Sequence, residues 1–207
     1  ISGWEIKEDA DISPDRIKAC EIANDWFNAQ FNQKYNEIEQ YFEEYRLSDA
    51  LMAIYKLIWD DYCAWYLEMI KPEYGQPIHK SALEMAKNNF SKILRLLNPF
   101  MPFITEELHA ELFPGQDPLI ISEMPRQDLS AQAPNNKPLE LITEIRNIRN
   151  AKGISPKETL DLALLCENEL NKIAYQNFEP IIKRLANIGS LSYVEQRPEQ
   201  SLSFLIG

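Results

Sequence analysis

Between Pro14 and Tyr45 one pattern repeats: Ile17, Cys20, Ala23, Trp26, Phe27, Phe31, Tyr35, Ile38, Tyr41 and Phe42 recur at helical spacing, separated by polar residues. This is the period of an α-helix with one face turned to a core. Ser13 supplies an N-cap, and Pro14 fits the first helical position, where its missing N–H is not needed. With no glycine or proline to interrupt it, the pattern predicts one long helix. A second helix is predicted from near Ser48 to the residue before Pro72. A loop with Pro72, Gly75 and Pro77 follows, then a third helix over roughly 79–97, ending at Asn98-Pro99. A shorter fourth starts at Pro102 and stops at Phe113-Pro114-Gly115. Short loops between such helices make an antiparallel bundle.

The second helix carries an aromatic cluster in DDYCAWYLEMIKP, residues 60–72. At 100° per residue Leu51, Ile54, Tyr55, Ile58, Tyr62, Trp65, Tyr66 and Met69 share a stripe, which Met52, Trp59, Cys63 and Ile70 widen to about half the circumference. An arc that wide predicts burial, so Tyr62, Trp65 and Tyr66 are expected in the core rather than on a base-stacking platform. The opposite face carries Lys56, Asp60, Ala64, Glu68 and Lys71, the better place for contact with a partner.

After residue 114 the pattern breaks. Pro114, Pro118, Pro125, Pro134 and Pro138 mark a linker, in which LIIS (119–122) predicts a short extended segment. A fifth helix is predicted over 138–152, with Leu141, Ile142, Ile145 and Ile148 on one face and Gly153 as its stop. LDLALLC (160–166) reads as a buried strand, 167–176 and 178–187 as two short helices, and LSYVEQ (191–196) and SLSFLIG (201–207) as further strands. The fold class is therefore mainly α: a helical bundle over 1–125, then a linker and small α/β subdomain over 126–207.

Charge separates the same two parts. The whole chain of 207 residues has a net charge of −11. Residues 1–125 hold 11 basic and 22 acidic side chains, whereas 126–207 hold 10 of each. Such acidity argues against a simple phosphate-binding surface, which needs lysine and arginine. Within the second part, Lys137, Arg146, Arg149, Lys152 and Lys157 face only Glu140 and Glu144 over residues 137–157. Arg146, Arg149 and Lys152 recur at spacing three without an acid three or four positions away. They call for an external anion, either the acidic bundle or a nucleic-acid backbone.

Independent catalysis finds no support. There is no GxGxxG or GxxxxGK[ST] loop among the six glycines, and His79 and His109 have no triad or metal partner at a usable spacing. His109 reads as an ordinary surface or half-buried histidine. The adjacent acids Glu43-Glu44, Asp60-Asp61 and Glu106-Glu107 point different ways on a helix and read as solvated. Cys20, Cys63 and Cys166 are odd in number and widely spaced, which excludes a disulfide framework and a zinc knuckle and favours the cytoplasm. Cys63, among aromatics, reads as a small hydrophobe. No apolar run is long enough for a membrane span. Opening on Ile1 in ISGWEIKEDAD, the chain reads as an excised piece of a longer protein.

Three stretches carry a resemblance. YRLSDALMAIYKLIWDDYCAWYLEMIKP (45–72), LLNPFMPFITEEL (96–108) and ITEIRNIRNAKGISPKETLDL (142–162), in this order and spacing, resemble the anticodon-binding region of valyl-tRNA synthetases. PFMPFITEEL is shared in part with leucyl and isoleucyl relatives, while WYLEMIKP with RNIRN and a following Ser-Pro-Lys points to valine. Ala64 and His109 depart from the family, which often has aspartate and tryptophan there. The resemblance implies a module that grips the anticodon stem-loop of valine tRNA as a monomer. It would be attached to a catalytic domain of the same chain that uses ATP, with no catalytic residue, cofactor or metal of its own. HIGH-type and KMSKS-type motifs and the coiled-coil arm are absent from these residues. Under that reading the tRNA-binding candidates are Arg46, Lys56, Asp60, Lys71, Arg146, Arg149 and Lys152. The acids would serve as acceptors for base amino groups. The alternatives are a docking module for the catalytic body or another protein, and the same module from an isoleucyl or leucyl relative.

Overall fold

The computed structural model describes residues 5–8, 13–124, 133–166 and 168–195. The chain divides into two compact units, Ile1–Pro134 and Asn135–Gly207.

In the first unit, α1 (Pro14–Glu43) is the predicted long helix and buries Cys20, Ala23, Trp26, Phe27, Phe31 and Ile38 from the predicted face. Across a turn at Tyr45 and Arg46, α2 (Leu47–Lys56), a π-helical segment (Leu57–Tyr66) and α3 (Leu67–Ile70) follow without a break as one rod. The β1 strand (Ile6–Lys7) pairs in parallel with β2 (Ile78–His79), which leads into α4 (Lys80–Leu97). His79 caps that helix: its Nδ1 accepts the Ala82 N–H at 3.2 Å. After a turn tied by Asn98 Nδ2 donating to Thr105 Oγ1 at 2.9 Å comes α5 (Pro102–Leu112).

Side-chain contacts give the directions. Arg16, in the first turn of α1, donates to the Ile70 carbonyl at 2.7 Å and to that of Lys71, so the rod runs antiparallel to α1. Asn89 and Lys92 of α4 reach Asn24 and Asn28 of α1, each at 2.8 Å, so α4 runs the same way as α1. Between them lies the aromatic core. Phe27 packs against Tyr62 at 5.3 Å and Tyr66 at 5.0 Å, Tyr62 lies against Phe90 at 5.7 Å, and the Tyr62 hydroxyl donates to the Ala86 carbonyl at 2.8 Å.

The rod corrects the predicted stripe. Its buried line is Ala50, Ala53, Ile54, Leu57, Tyr62, Tyr66, Met69 and Ile70. The step of five from Leu57 to Tyr62 marks the π turn, whose i→i+5 bonds take more residues per turn than α bonds. Only one edge of the wide apolar arc turns inward. Trp65 is half-buried rather than core, and Leu51, Met52, Tyr55, Trp59 and Cys63 are exposed. Periodicity could not choose between the edges, because both are apolar.

Two further expectations change. LIIS is not extended: Leu119–Ile121 form a 3-10 turn. Its N–H groups at Leu119 and Ile120 donate to the Glu106 carboxylate at 2.9 and 2.8 Å. Glu106 is thus an anchor and not a solvated acid.

The second unit holds α6 (Lys137–Lys152), β3 (Leu160–Leu164), α7 (Glu169–Ala186) and β4 (Ile188–Tyr193). Gly153, at φ 67°, ends α6 in the left-handed conformation that glycine adopts without strain. The two strands pair in parallel, Leu162 opposite Leu191 and Leu164 opposite Tyr193, which requires a crossover connection; α7 supplies it. Where two short helices are predicted there is one, running through Pro180. A proline inside a helix costs about 3 kcal/mol; burial of Tyr175 before it and of Ile181 and Ile182 after it offsets that cost. The strand predicted from 191 begins at Ile188, and the one predicted over 201–207 lies outside the described residues.

Candidate nucleic-acid interface

Arg46 and Lys71 flank the two ends of the rod. The rod between them, with a rise near 1.5 Å per residue in its α-helical parts and less in the π segment, keeps them roughly 30 Å apart, so with Lys56 they do not converge into one patch. Each is also locally neutralised. Arg46 donates to Asp49 at 2.9 Å and to Glu44 at 3.1 Å, and its guanidinium lies 4.8 Å over the Tyr41 ring. Lys71 pairs with Glu68 at 3.0 Å. Lys56 and Asp60 are exposed near the middle of the rod, four residues apart and on neighbouring turns.

Beside them Leu51, Tyr55 and Trp59, on the stripe expected to be buried, face water together with Leu47. Leu47, Leu51, Tyr55 and Trp59 follow one another at spacing four, and all are exposed. Tyr55 is 56% and Trp59 61% exposed, and their rings are parallel to within 6° at a centroid separation of 6.5 Å. Two amphipathic rings held parallel in water, flanked by a cation and a carboxylate, can stack planar groups and hydrogen-bond their edges. At the turn before the rod, Tyr45 is almost fully exposed and adopts φ 56°. That left-handed conformation is uncommon for a bulky residue.

Asp61 departs from its predicted solvated role. It is half-buried in the seam against α1, where Gln30 Nε2 reaches its carboxylate at 3.4 Å. Burial pushes its carboxyl up to about 6; neighbouring Asp60 adds to this and Lys34 opposes it. A folded pKa raised above the ordinary value of 3.8 means that the fold disfavours the ionised form. Stability is therefore highest below that ordinary value and falls as pH rises to about 6. Asp61→Asn is expected to leave stability little changed near pH 4 and to raise it by about 1–2 kcal/mol above pH 6, after allowance for solvent screening. Urea melts of both proteins across this range check it. A gain at pH 4 equal to that at pH 7 would contradict the assignment.

In the second unit the basic helix finds its partners at short range, which corrects the expectation of an external anion. Arg149 is buried, 4% exposed. Its Nη1 donates to the carbonyls of Ser155 and Glu158 at 3.0 and 2.8 Å, and its Nη2 to those of Ala186 and Asn187, both at 3.0 Å. Arg146 reaches the Leu185 carbonyl with Nη2 at 3.0 Å. The C-terminal carbonyls of α7 form the negative end of a helix dipole, and the two arginines sit on it. Lys152 is exposed on the last turn of α6.

The histidines are buried and the cysteines are free. His109 is buried against Phe113 at 5.2 Å rather than at the surface, and His79 Nε2 lies 3.2 Å from the Cys20 sulfur. All three cysteines are free, and Cys63 is exposed, not packed among aromatics. Among the described residues no group of three His, Cys, Asp or Glu is placed to hold a metal. Nor, among them, is any helix long and apolar enough to cross a membrane.

The family model described as the anticodon-binding domain of tRNA ligase matches residues 24–164, from α1 to the end of β3. The chain belongs to this family. The domain is also similar over its whole length to valine–tRNA ligases: 39% identical to that of Phocaeicola vulgatus, 36% to that of Christiangramia forsetii and 38% to that of Parabacteroides distasonis. It spans 23% of the length of each of these relatives.

Proposed function

We propose that this domain recognises the anticodon stem-loop of valine tRNA within a valine–tRNA ligase. Aminoacylation and the ATP it consumes would belong to residues outside these 207. The observation that carries the reading is the exposed, parallel pair Tyr55 and Trp59 beside Lys56 and Asp60. Single-stranded loops are recognised by stacking splayed bases on aromatic rings and by hydrogen bonds to base edges. Neither contact requires a strongly basic surface, which reconciles the acidic bundle with a polyanionic ligand. The partner is named as valine tRNA because the whole-length relatives are valine–tRNA ligases. Arg46, Lys56 and Lys71 are then separate phosphate contacts along the rod, each worth about one unit of salt slope at most.

The test is binding of valine tRNA and a non-cognate tRNA at two salt concentrations. Trp59→Ala is expected to weaken binding of valine tRNA by about 1–3 kcal/mol, the range for one stacked base. Its melting temperature should not move, because the ring is mostly in water. Unchanged affinity in both Trp59→Ala and Tyr55→Ala would sink the proposal.

A further inference from the structure

A second exposed apolar face lies on α5 and the 3-10 turn that Glu106 ties to it. Phe103 is 91% exposed, one helical turn before Glu106, and Ile120 and Ile121 on the tied turn are 75% and 70% exposed. The turn is held by two backbone bonds to that carboxylate and by burial of Leu119 beneath it. Three large apolar side chains are thus offered to solvent on a fixed support, which marks an interaction surface rather than scattered surface residues.

Charge decides what can cover it. Residues 96–125 contain no lysine or arginine, while Glu106, Glu107, Glu111, Asp117 and Glu123 all fall among them. A phosphate backbone would meet repulsion from these carboxylates. A second copy would set one acidic segment against another, since a two-fold contact pairs each patch with itself. The complementary partner is a protein surface with an apolar centre and a basic rim. The relatives devote over three-quarters of their length to residues beyond this domain. Resting on the tRNA-ligase reading above, we infer that the Phe103–Ile120–Ile121 face docks onto such a surface elsewhere in the parent ligase. It fixes the anticodon-binding domain relative to the rest of that enzyme.

Hydroxyl-radical footprinting tests this by comparing the 207-residue chain with the full-length ligase, each without tRNA. Oxidation of Phe103 and of the adjacent Met101 and Met124 is expected to fall several-fold in the full-length enzyme. Phe103→Glu and Ile121→Glu should restore the reactivity of the two methionines there. Both changes fall on exposed side chains, so the melting temperature of the 207-residue chain and its affinity for the isolated anticodon stem-loop should stay as they were. The inference is overturned if these side chains are equally reactive in both proteins. It is also overturned if protection develops only when tRNA is added, or if the 207-residue chain alone dimerises and Ile121→Glu abolishes the dimer. Failure of the anticodon reading registers separately, as lost sensitivity of tRNA binding to Trp59→Ala with the footprint intact.

Discussion

Replacing Arg149 by alanine is expected to destabilise the second unit by about 2–3 kcal/mol, the upper range for hydrogen bonds made by a charged group. The guanidinium is buried and donates to four carbonyls, on Ser155, Glu158, Ala186 and Asn187. Truncation removes all four bonds at once; Ser155, Glu158 and Asn187 keep a second donor in the Glu158 N–H, the Asn187 side chain and the Leu160 N–H, whereas the buried Ala186 carbonyl loses the arginine that meets it. Folding free energies of whole domains are about 5–15 kcal/mol, so the loss is a large fraction of the total. Arg149→Lys keeps the charge but not the planar fork, and a single ammonium cannot span carbonyls on both sides. It should recover less than half of the stability. Urea titration followed by circular dichroism measures both variants. A stable Arg149→Ala protein with weakened tRNA binding would reverse the assignment and return this residue to the nucleic-acid surface.

The second large effect is expected at the centre of the bundle. Phe27→Ala should cost about 3–5 kcal/mol, as truncation of a buried aromatic does. Phe27 is fully buried and its ring lies within 6.4 Å of the rings of Phe31, Tyr62 and Tyr66, so its removal also ends three ring contacts. The control lies on the neighbouring rod. Tyr55→Ala removes an aromatic of similar size from a mostly solvated position and should change stability by no more than about 0.5 kcal/mol. Thermal melts of the two variants compare them. Equal losses would mean that Tyr55 is packed, and the exposed platform would no longer exist.

The number of helices in the bundle, their ends and their order follow from patterns any reader of the sequence can use: Ser13-Pro14, the apolar period to Phe42, Pro72, Asn98-Pro99, Pro114-Gly115 and Gly153. The inward face of α1 was legible because its apolar stripe is narrow. That of the rod was not, because apolar residues fill about half its circumference and only packing against α1 and α4 chooses the buried half. No residue between Leu57 and Tyr66 announces the π register, whose trace in the structure is the five-residue step between buried positions. Arg149 is legible as a helical cation lacking an acidic neighbour, but the external anion that this pattern calls for is not what its guanidinium meets. What the sequence does not encode locally is that backbone carbonyls 37 and 38 residues away take that anion's place. Pro180 misled for a similar reason: local propensity favours a break, while burial on both sides keeps the helix whole.

The Arg149 carbonyls have a temporal consequence as well. Two lie 6 and 9 residues ahead in the chain, and two lie at the far end of α7, on its last residue Ala186 and its cap Asn187. The four bonds therefore cannot coexist until α7 has closed back on α6. A contact completed that late is expected to be largely unformed at the folding barrier, so that Arg149→Ala should speed unfolding more than it slows folding, which stopped-flow rates would check. Its strength falls instead on the reverse step. The guanidinium acts as a latch, setting how long the small α/β unit stays shut once it has closed.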